Sequence, residues 1–215
     1  MAQIFPRWAN KAPAYAAGAG ALAAILVSLF VWYYFSPEYT DVGYQPRQPV
    51  PYSHKLHVGE LGLDCRYCHA GVEVAAVASV PPTKVCMNCH QLVKRDSELL
   101  APIHASIESG APMRWVRIHK LADYAYFDHS IHVRAGVGCS SCHGDIAQME
   151  VVRQTEPLSM AWCLDCHRNP DPHLRPSDQI FVTDWQPPED QLAVAAELRQ
   201  ETKIAPPEDC SACHR

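Results

Sequence analysis

Apolar positions are spread unevenly along the chain. Residues 14–35 run for 22 positions without a charge, and at about 1.5 Å of rise per residue such a helix crosses a hydrocarbon layer of about 30 Å. The pattern predicts one transmembrane helix. Its far end reads Trp32, Tyr33, Tyr34, Phe35, aromatic residues suited to a membrane–water interface, with Phe5 and Trp8 placed for the near one. A cleavable signal peptide would carry an apolar region of about 7–15 residues ending in small side chains. The aromatic ending offers no such site, so we expect an uncleaved anchor. Arg7 and Lys11 precede the span and Glu38 and Asp41 follow it. This orients residues 1–13 to the cytoplasm and the bulk of the chain to the opposite side of the membrane. Ala16, Gly20 and Ala24 recur every fourth position; they either admit a partner helix at close range or belong to a plain alanine-rich anchor.

Beyond the span the periodicity thins. Residues 36–50 hold three prolines and two tyrosines and read as an extended linker. Helical spacing returns over 92–109, interrupted or restarted near Pro102, and over 190–200, where Asp190 is a candidate N-cap and Val194, Ala195 and Leu198 share one side. The clearest organisation is a repeat. Tyr52-Ser53-His54-Lys55-Leu56-His57-Val58 returns 75 positions later as Phe127-Asp128-His129-Ser130-Ile131-His132-Val133. The expected layout is therefore module 1 at 51–100, a connector at 101–126, module 2 at 127–175 and a C-terminal segment at 176–215. The fold expected is mainly irregular with short α-helices, behind one N-terminal membrane helix.

The cysteines supply the chemistry. All ten fall into five C-x-x-C pairs, each followed directly by histidine. The first is Cys65 and Cys68 with His69, and the second is Cys86 and Cys89 with His90. Then come Cys139 and Cys142 with His143, Cys163 and Cys166 with His167, and Cys210 and Cys213 with His214. This is the attachment motif of c-type haem, in which two thiols add across the porphyrin vinyl groups and the adjacent imidazole coordinates iron. Zinc sites or redox-active dithiols that happen to precede His compete with it. Five chance histidines out of five, however, have odds on the order of one in a million. No cysteine is left for a disulfide. We expect five covalently bound c-type haems on about 180 extramembrane residues, so the porphyrins must supply much of the apolar core.

Five histidines are spent as proximal ligands. Low-spin electron-transfer haems need a second axial ligand, His or Met, on each iron. The repeat supplies four: His54, His57, His129 and His132. Two imidazoles at H-x-x-H spacing lie on one helical face at different heights, suited to two different haems. For the fifth iron the candidates are His119 and Met149, the latter in the three-residue-longer spacer of module 2. The motif alone without a module, at His214, is the expected site of a His/Met haem. His104 and His173 are expected to be solvated or to contact haem propionates, and Met87, Met113 and Met160 to be packing. With more distal candidates than irons, closed coordination favours relay over catalysis. A formal charge of −5 leaves no basic face for nucleic acid.

The H-x-x-H-then-C-x-x-C-H modules resemble the class III multihaem cytochromes. The whole chain resembles the pentahaem cytochrome subunits of alternative complex III. The resemblance is carried by Tyr52 to His57, the stretch Trp115-Val116-Arg117-Ile118-His119 running on to Tyr124, Phe127 to His132, and Pro157 to Pro170. It implies an electron-transfer subunit, with no catalytic residue of its own, in a quinol:electron-acceptor oxidoreductase. The implied partners are an iron–sulfur subunit, multi-helix quinol-binding membrane subunits, and a monohaem or soluble cytochrome c or a terminal oxidase. Two other functions stay open. One is a stand-alone membrane-anchored quinol dehydrogenase of the multihaem type, disfavoured by the 29 residues between Phe35 and Cys65. The other is a reductase of nitrogen or sulfur oxyanions, which would need an open iron.

Overall fold

Alanine and leucine between the charged Lys11 and the Ser36-Pro37 pair wind into one 23-residue helix, Ala12–Tyr34, in the computed structural model, which describes residues 4–214. Pro13 sits in its first turn, where the missing N–H costs nothing. Ser36 is extended ahead of Pro37, which ends the helix. None of its side chains is buried, and it is long and apolar enough to cross a membrane. A short helical turn, Pro37–Thr40, follows it. This N-terminal unit ends at Val42.

The second unit begins at Gly43 and contains no strand among the described residues; its one ladder-type contact is an isolated antiparallel bridge between Val137 and Leu174. Residues 43–50, expected as linker, are pinned to this unit. Gly43 N–H donates to Gln154 at 2.8 Å, Gln154 N–H returns a bond to Tyr44 at 3.0 Å, and Gln48 pairs with the backbone of Val116 at 2.9 Å in both directions.

Short helices carry the sequence motifs, and their starts are written in the capping residues. Asp64 accepts from Arg66 N–H at the head of Cys65–Cys68, Asp128 caps His129–Arg134, Ser159 caps Met160–Arg168 and Asp209 caps Cys210–Cys213. Thr83–His90 and Ser140–His143 hold the remaining motifs. The helix expected over 92–109 is confined to Ala101–Ser109, behind a tight turn at Glu98–Leu100. Lys94 adopts a left-handed φ of +50° and Ser97 is extended, so the helix starts afresh beside Pro102 and closes on left-handed Gly110. The C-terminal helix runs Gln191–Thr202, with Asp190 at its N-cap position but without a side-chain cap bond.

The polypeptide alone builds little interior. Ten apolar residues are buried among those described, divided between small clusters. Val50, Leu100 and Ile103 gather Cys86, Met87, Met113 and Trp115, while Val72, Val133 and Ile180 gather Ala78 and Phe181. Leu61, Val74, Val77, Val80 and Leu92 stay exposed. A unit of this length ordinarily closes around one contiguous core.

One junction depends on glycine. Arg175 N–H donates to Gly136 at 2.8 Å, and its guanidinium lies against Gly138 and hydrogen-bonds Ser140 inside the third motif. A Cβ at Gly136, where φ is +83°, would stand 2.8 Å from the Arg175 carbonyl oxygen, so glycine is required there, whereas one at Gly138 would stand 2.2 Å from the guanidinium and require the Arg175 side chain to move.

Candidate haem sites

Each motif places its two thiols one helical turn apart, with the following imidazole at the end of that turn. All ten cysteines are free. The sequence treats the ten thiols as equivalent, and the structure does not. Cys89 of the second motif and Cys210 of the fifth are exposed, whereas the other eight are half-buried. Cys89 lies in the last turn of Thr83–His90, where its carbonyl accepts from Leu92 at 3.0 Å and Val93 at 2.8 Å. Its partner Cys86 instead packs against the Val50, Leu100 and Ile103 cluster, so the second motif turns one thiol inward and the other outward. The Cys139 thiol donates to the Ile180 carbonyl at 4.0 Å, and its closeness to Cys65 holds Cys65 down at about 7 and Cys139 above the usual thiol range. Burial, with Cys166 and Cys163 nearby, pushes Cys142 up to about 12.

The histidines come together in pairs of a particular length. Ring centres of His57 and His90 are 6.2 Å apart, those of His129 and His143 6.4 Å, and those of His132 and His167 6.1 Å. Metal–imidazole bonds are about 2 Å long, so two rings on opposite sides of one metal have centres roughly 6 Å apart. The three pairs have that spacing, and each joins an H-x-x-H histidine to a motif histidine. His54 stands close enough to His69 for the charge of one to depress the other. Burial is the larger cause there, and it holds His54 down at about 4. Burial, then His119 and His129, hold His143 at about 3, and burial also lowers His132. Each of these rings is therefore neutral near pH 7, the form that can ligate.

Their tautomers are fixed by the backbone. A carbonyl oxygen only accepts, so a ring nitrogen beside one must donate. His57 Nδ1 donates to Ser53 and His132 Nδ1 to Asp128, both at 2.8 Å. Among the motif histidines, His69 Nδ1 donates to Ser79 (2.6 Å), His90 to Val93 (2.9 Å), His167 to Pro207 (2.7 Å) and His214 to Tyr124 (3.1 Å). His129 Nδ1 donates to Ala76 at 2.8 Å. Every such bond leaves Nε2 as a lone-pair donor and holds the ring's direction, as ligating histidines require.

The aromatic residue that opens each repeat does more than mark it. Tyr52 meets His54 edge-on at 4.9 Å and stacks on His57 at 4.4 Å; Phe127 meets His129 at 4.7 Å and stacks on His132 at 4.4 Å. One ring thus clamps both imidazoles of its pair. The role of these aromatics is absent from the sequence reading, although their recurrence at equivalent positions marks them.

The candidates for the fifth iron have different surroundings. His119 packs nearly perpendicular to His143, ring centres 4.3 Å apart and Nε2 3.3 Å from His143 Nδ1. That is too close to seat a metal between them; the two ring nitrogens share one hydrogen bond, which His143 Nδ1 donates when its Nε2 is the free nitrogen. Met149 is 4% exposed, and its carbonyl accepts from Lys55 beside the first H-x-x-H pair. The fifth motif docks on other residues, with Tyr126 N–H donating to Cys213 at 2.8 Å. His104 spends Nε2 on the Arg95 carbonyl at 3.0 Å, and His173 closes the turn Asp171–His173.

Iron porphyrin fits this donor set. Imidazole pairs with ring centres 6.1–6.4 Å apart accompany the paired thiols, in a unit whose own apolar core is too small for its length. Residues 125–215 match the family model described as cytochrome c7 and related cytochrome c. The helical unit, strand-free among the described residues, with its C-x-x-C-H motifs is thus of the multihaem cytochrome kind, similar over residues 125–215 to a family that carries c-type haem. Over 166 residues the chain is 26% identical to the multihaem cytochrome c subunit of the menaquinone reductase of Nitratidesulfovibrio vulgaris, a match covering 67% of this chain and 78% of that protein.

Proposed function

We propose that this chain is the pentahaem relay subunit of a membrane quinol:electron-acceptor oxidoreductase of the alternative complex III type, anchored by Ala12–Tyr34 with its haem domain in the periplasm. The observation that carries the reading is the set of three imidazole pairs at 6.1–6.4 Å, repeated across both modules. Haem, when bound, supplies one-electron Fe(II)/Fe(III) chemistry. The residues do the rest. The ten cysteines hold the five macrocycles, and His69, His90, His143, His167 and His214 are the proximal ligands. His54, His57, His129 and His132 are distal ligands to the first, second, third and fourth motifs. Met149 lies beside Lys55 of module 1 and not beside the fifth motif, so the second ligand of the fifth iron is left unassigned, and His119 orients His143. With an H-x-x-H imidazole facing the second, third and fourth motif histidines, irons held there would have no open position for a substrate, which supports relay over reduction of an oxyanion.

Quinol oxidation, which releases two electrons and two protons, belongs to multi-helix partners. A single helix offers no pocket at membrane depth. An iron–sulfur subunit delivers the electrons, and a cytochrome c or a terminal oxidase receives them. Outside the first 35 residues 16 basic side chains face 23 acidic ones, a formal −7 before haem propionates are counted. Such a field steers a basic acceptor, and the rate of its reduction falls with salt. Purification in mild detergent tests the reading: the chain should bring down an iron–sulfur protein and multi-helix subunits that together reduce cytochrome c with quinol. Quinol oxidation by the anchored chain alone in liposomes contradicts it.

The similarity to a menaquinone reductase subunit favours a second reading in one respect, the direction of flow. In this second reading the same relay would carry electrons from a reduced donor towards quinone. Menaquinone reduction by the purified complex from a reduced cytochrome, faster than the reverse reaction, selects it.

A further inference from the structure

We propose that the five attachment motifs stand in space in the order second, first, third, fourth, fifth, so that the second and fifth motifs form the two ends of the relay. The inference rests on the pentahaem reading and adds to it an arrangement that differs from the order along the chain.

Contacts between motifs build the row one link at a time. The first two are joined inside their own C-x-x-C-H turns, where Asn88 Nδ2 donates to the Tyr67 hydroxyl at 2.9 Å. The first motif then meets the third. The Cys65 and Cys139 thiols are neighbours that line one cavity of about 20 Å³ with Ser140, Arg175 and Phe181. The loop after the first motif also receives the second H-x-x-H helix, as His129 donates to Ala76 from both its backbone N–H (3.1 Å) and Nδ1 (2.8 Å). The third and fourth motifs are bridged by that helix, since His129 faces His143 and His132 faces His167. The fourth meets the fifth through His167 Nδ1 on Pro207 at 2.7 Å and Arg168 on Glu208 at 3.0 Å.

Cys65 and Cys139 are the first cysteines of the first motif in each module, so equivalent residues touch. That is the contact a two-fold relation produces. The modules therefore meet head to head, with their second motifs pointing away from the junction. The fifth motif extends the row at the module 2 end and breaks its symmetry. The two exposed thiols of the set, Cys89 and Cys210, belong to these two end motifs.

Diffraction from the full-length holoprotein in detergent, with anomalous data at the iron edge, tests this. The expected result is five irons, each placed by continuity with its own motif, whose nearest neighbours run second–first–third–fourth–fifth. An iron of the second motif nearest to that of the third, or one of the fifth nearest to any but the fourth, overturns the order and leaves the haem count standing. A count other than five overturns the pentahaem reading and the row with it. A variant supplies an independent arm. Replacing both Cys86 and Cys89 by alanine removes an end and should shift one of the four remaining midpoint potentials; two shifted potentials mean that the second motif has two neighbours, and the row is wrong.

Discussion

The two modules present the same ligands on different backbones. Both clamp an imidazole pair under one aromatic ring, and both set the second imidazole of the pair close to 6 Å from a motif histidine, 6.2 Å in the first module and 6.1 Å in the second. Yet from the aromatic to the first cysteine there are 13 positions in module 1, Tyr52 to Cys65, and 12 in module 2, Phe127 to Cys139. The extra residue is absorbed locally. Lys55–Glu60 is a wide, π-type turn where His129–Arg134 is an ordinary α-helix, and a π-turn is how a helix accommodates one inserted residue without rotating what lies beyond it. The caps differ too: Ser53 takes Leu56 N–H through its hydroxyl at 3.0 Å, while Asp128 takes Ser130 and Ile131 through a carboxylate. His129 anchors Nδ1 on Ala76, whereas buried His54 Nδ1 has no hydrogen-bond partner among the described residues. The comparison teaches that ring position is the constrained quantity and the turn that delivers it is free to vary.

The largest expected effect breaks that equivalence at the metal. His57→Ala and His132→Ala should each convert one iron of five to a high-spin, ligand-accessible state, and to equal extents despite the different turns. Electron paramagnetic resonance of the oxidised protein checks this, and a response in only one module would show that the two pairs are not equivalent. A smaller effect separates the backbones. A Cβ on Gly59 would lie 2.5 Å from the Ala147 carbonyl oxygen, so Gly59→Ala should cost about 1–3 kcal/mol. At roughly 2–4 °C per kcal/mol for a domain of this size, calorimetry resolves it. The equivalent residue of module 2, exposed Arg134, should tolerate Ala within about 0.5 kcal/mol. Caps come next: Asp128→Ala should lower Tm by a few degrees, and by more than Ser53→Ala, because a charged cap with two N–H partners is lost. The smallest effect concerns His119. His119→Ala should leave every iron low-spin and move the midpoint potential of one, since it removes the acceptor for His143 and no ligand. A new high-spin signal would make His119 the ligand instead, and a near-infrared Met-to-ferric charge-transfer band that survives Met149→His would exclude Met149.

Much of this was legible in the residues. The apolar run gave the membrane-length helix within two residues at each end, Ala12–Tyr34 against 14–35. The C-x-x-C-H spacing named the cofactor class that the family match supports. Helix 190–200 was legible because its apolar side recurs at helical spacing. Residues 92–100 were misleading for a physical reason: Leu92, Val93 and Leu99 have helical spacing but remain exposed, and a left-handed Lys94 interrupts them. Contacts between distant segments leave no trace in local pattern. The carbonyls that fix the imidazole tautomers come from residues of any type, and the pairing of His119 with His143 spans 24 positions. The same holds for the thiols: identical spacing leaves Cys89 exposed and half-buries Cys68, because what packs around each turn comes from elsewhere in the chain. Nor could spacing reveal that residues 43–50 lie down on the haem domain through Gln154 and Val116.

The central claim is that five C-x-x-C-H motifs each hold a haem through both thiols. Intact-mass spectrometry of the denatured holoprotein, after treatment with a thiol-alkylating reagent, tests it most directly. The account predicts one species, the polypeptide plus five haems, with none of its ten cysteines alkylated, exposed Cys89 and Cys210 included. A mass with four haems or fewer, alkylated cysteines, or a chain that loses its metal on denaturation would contradict it.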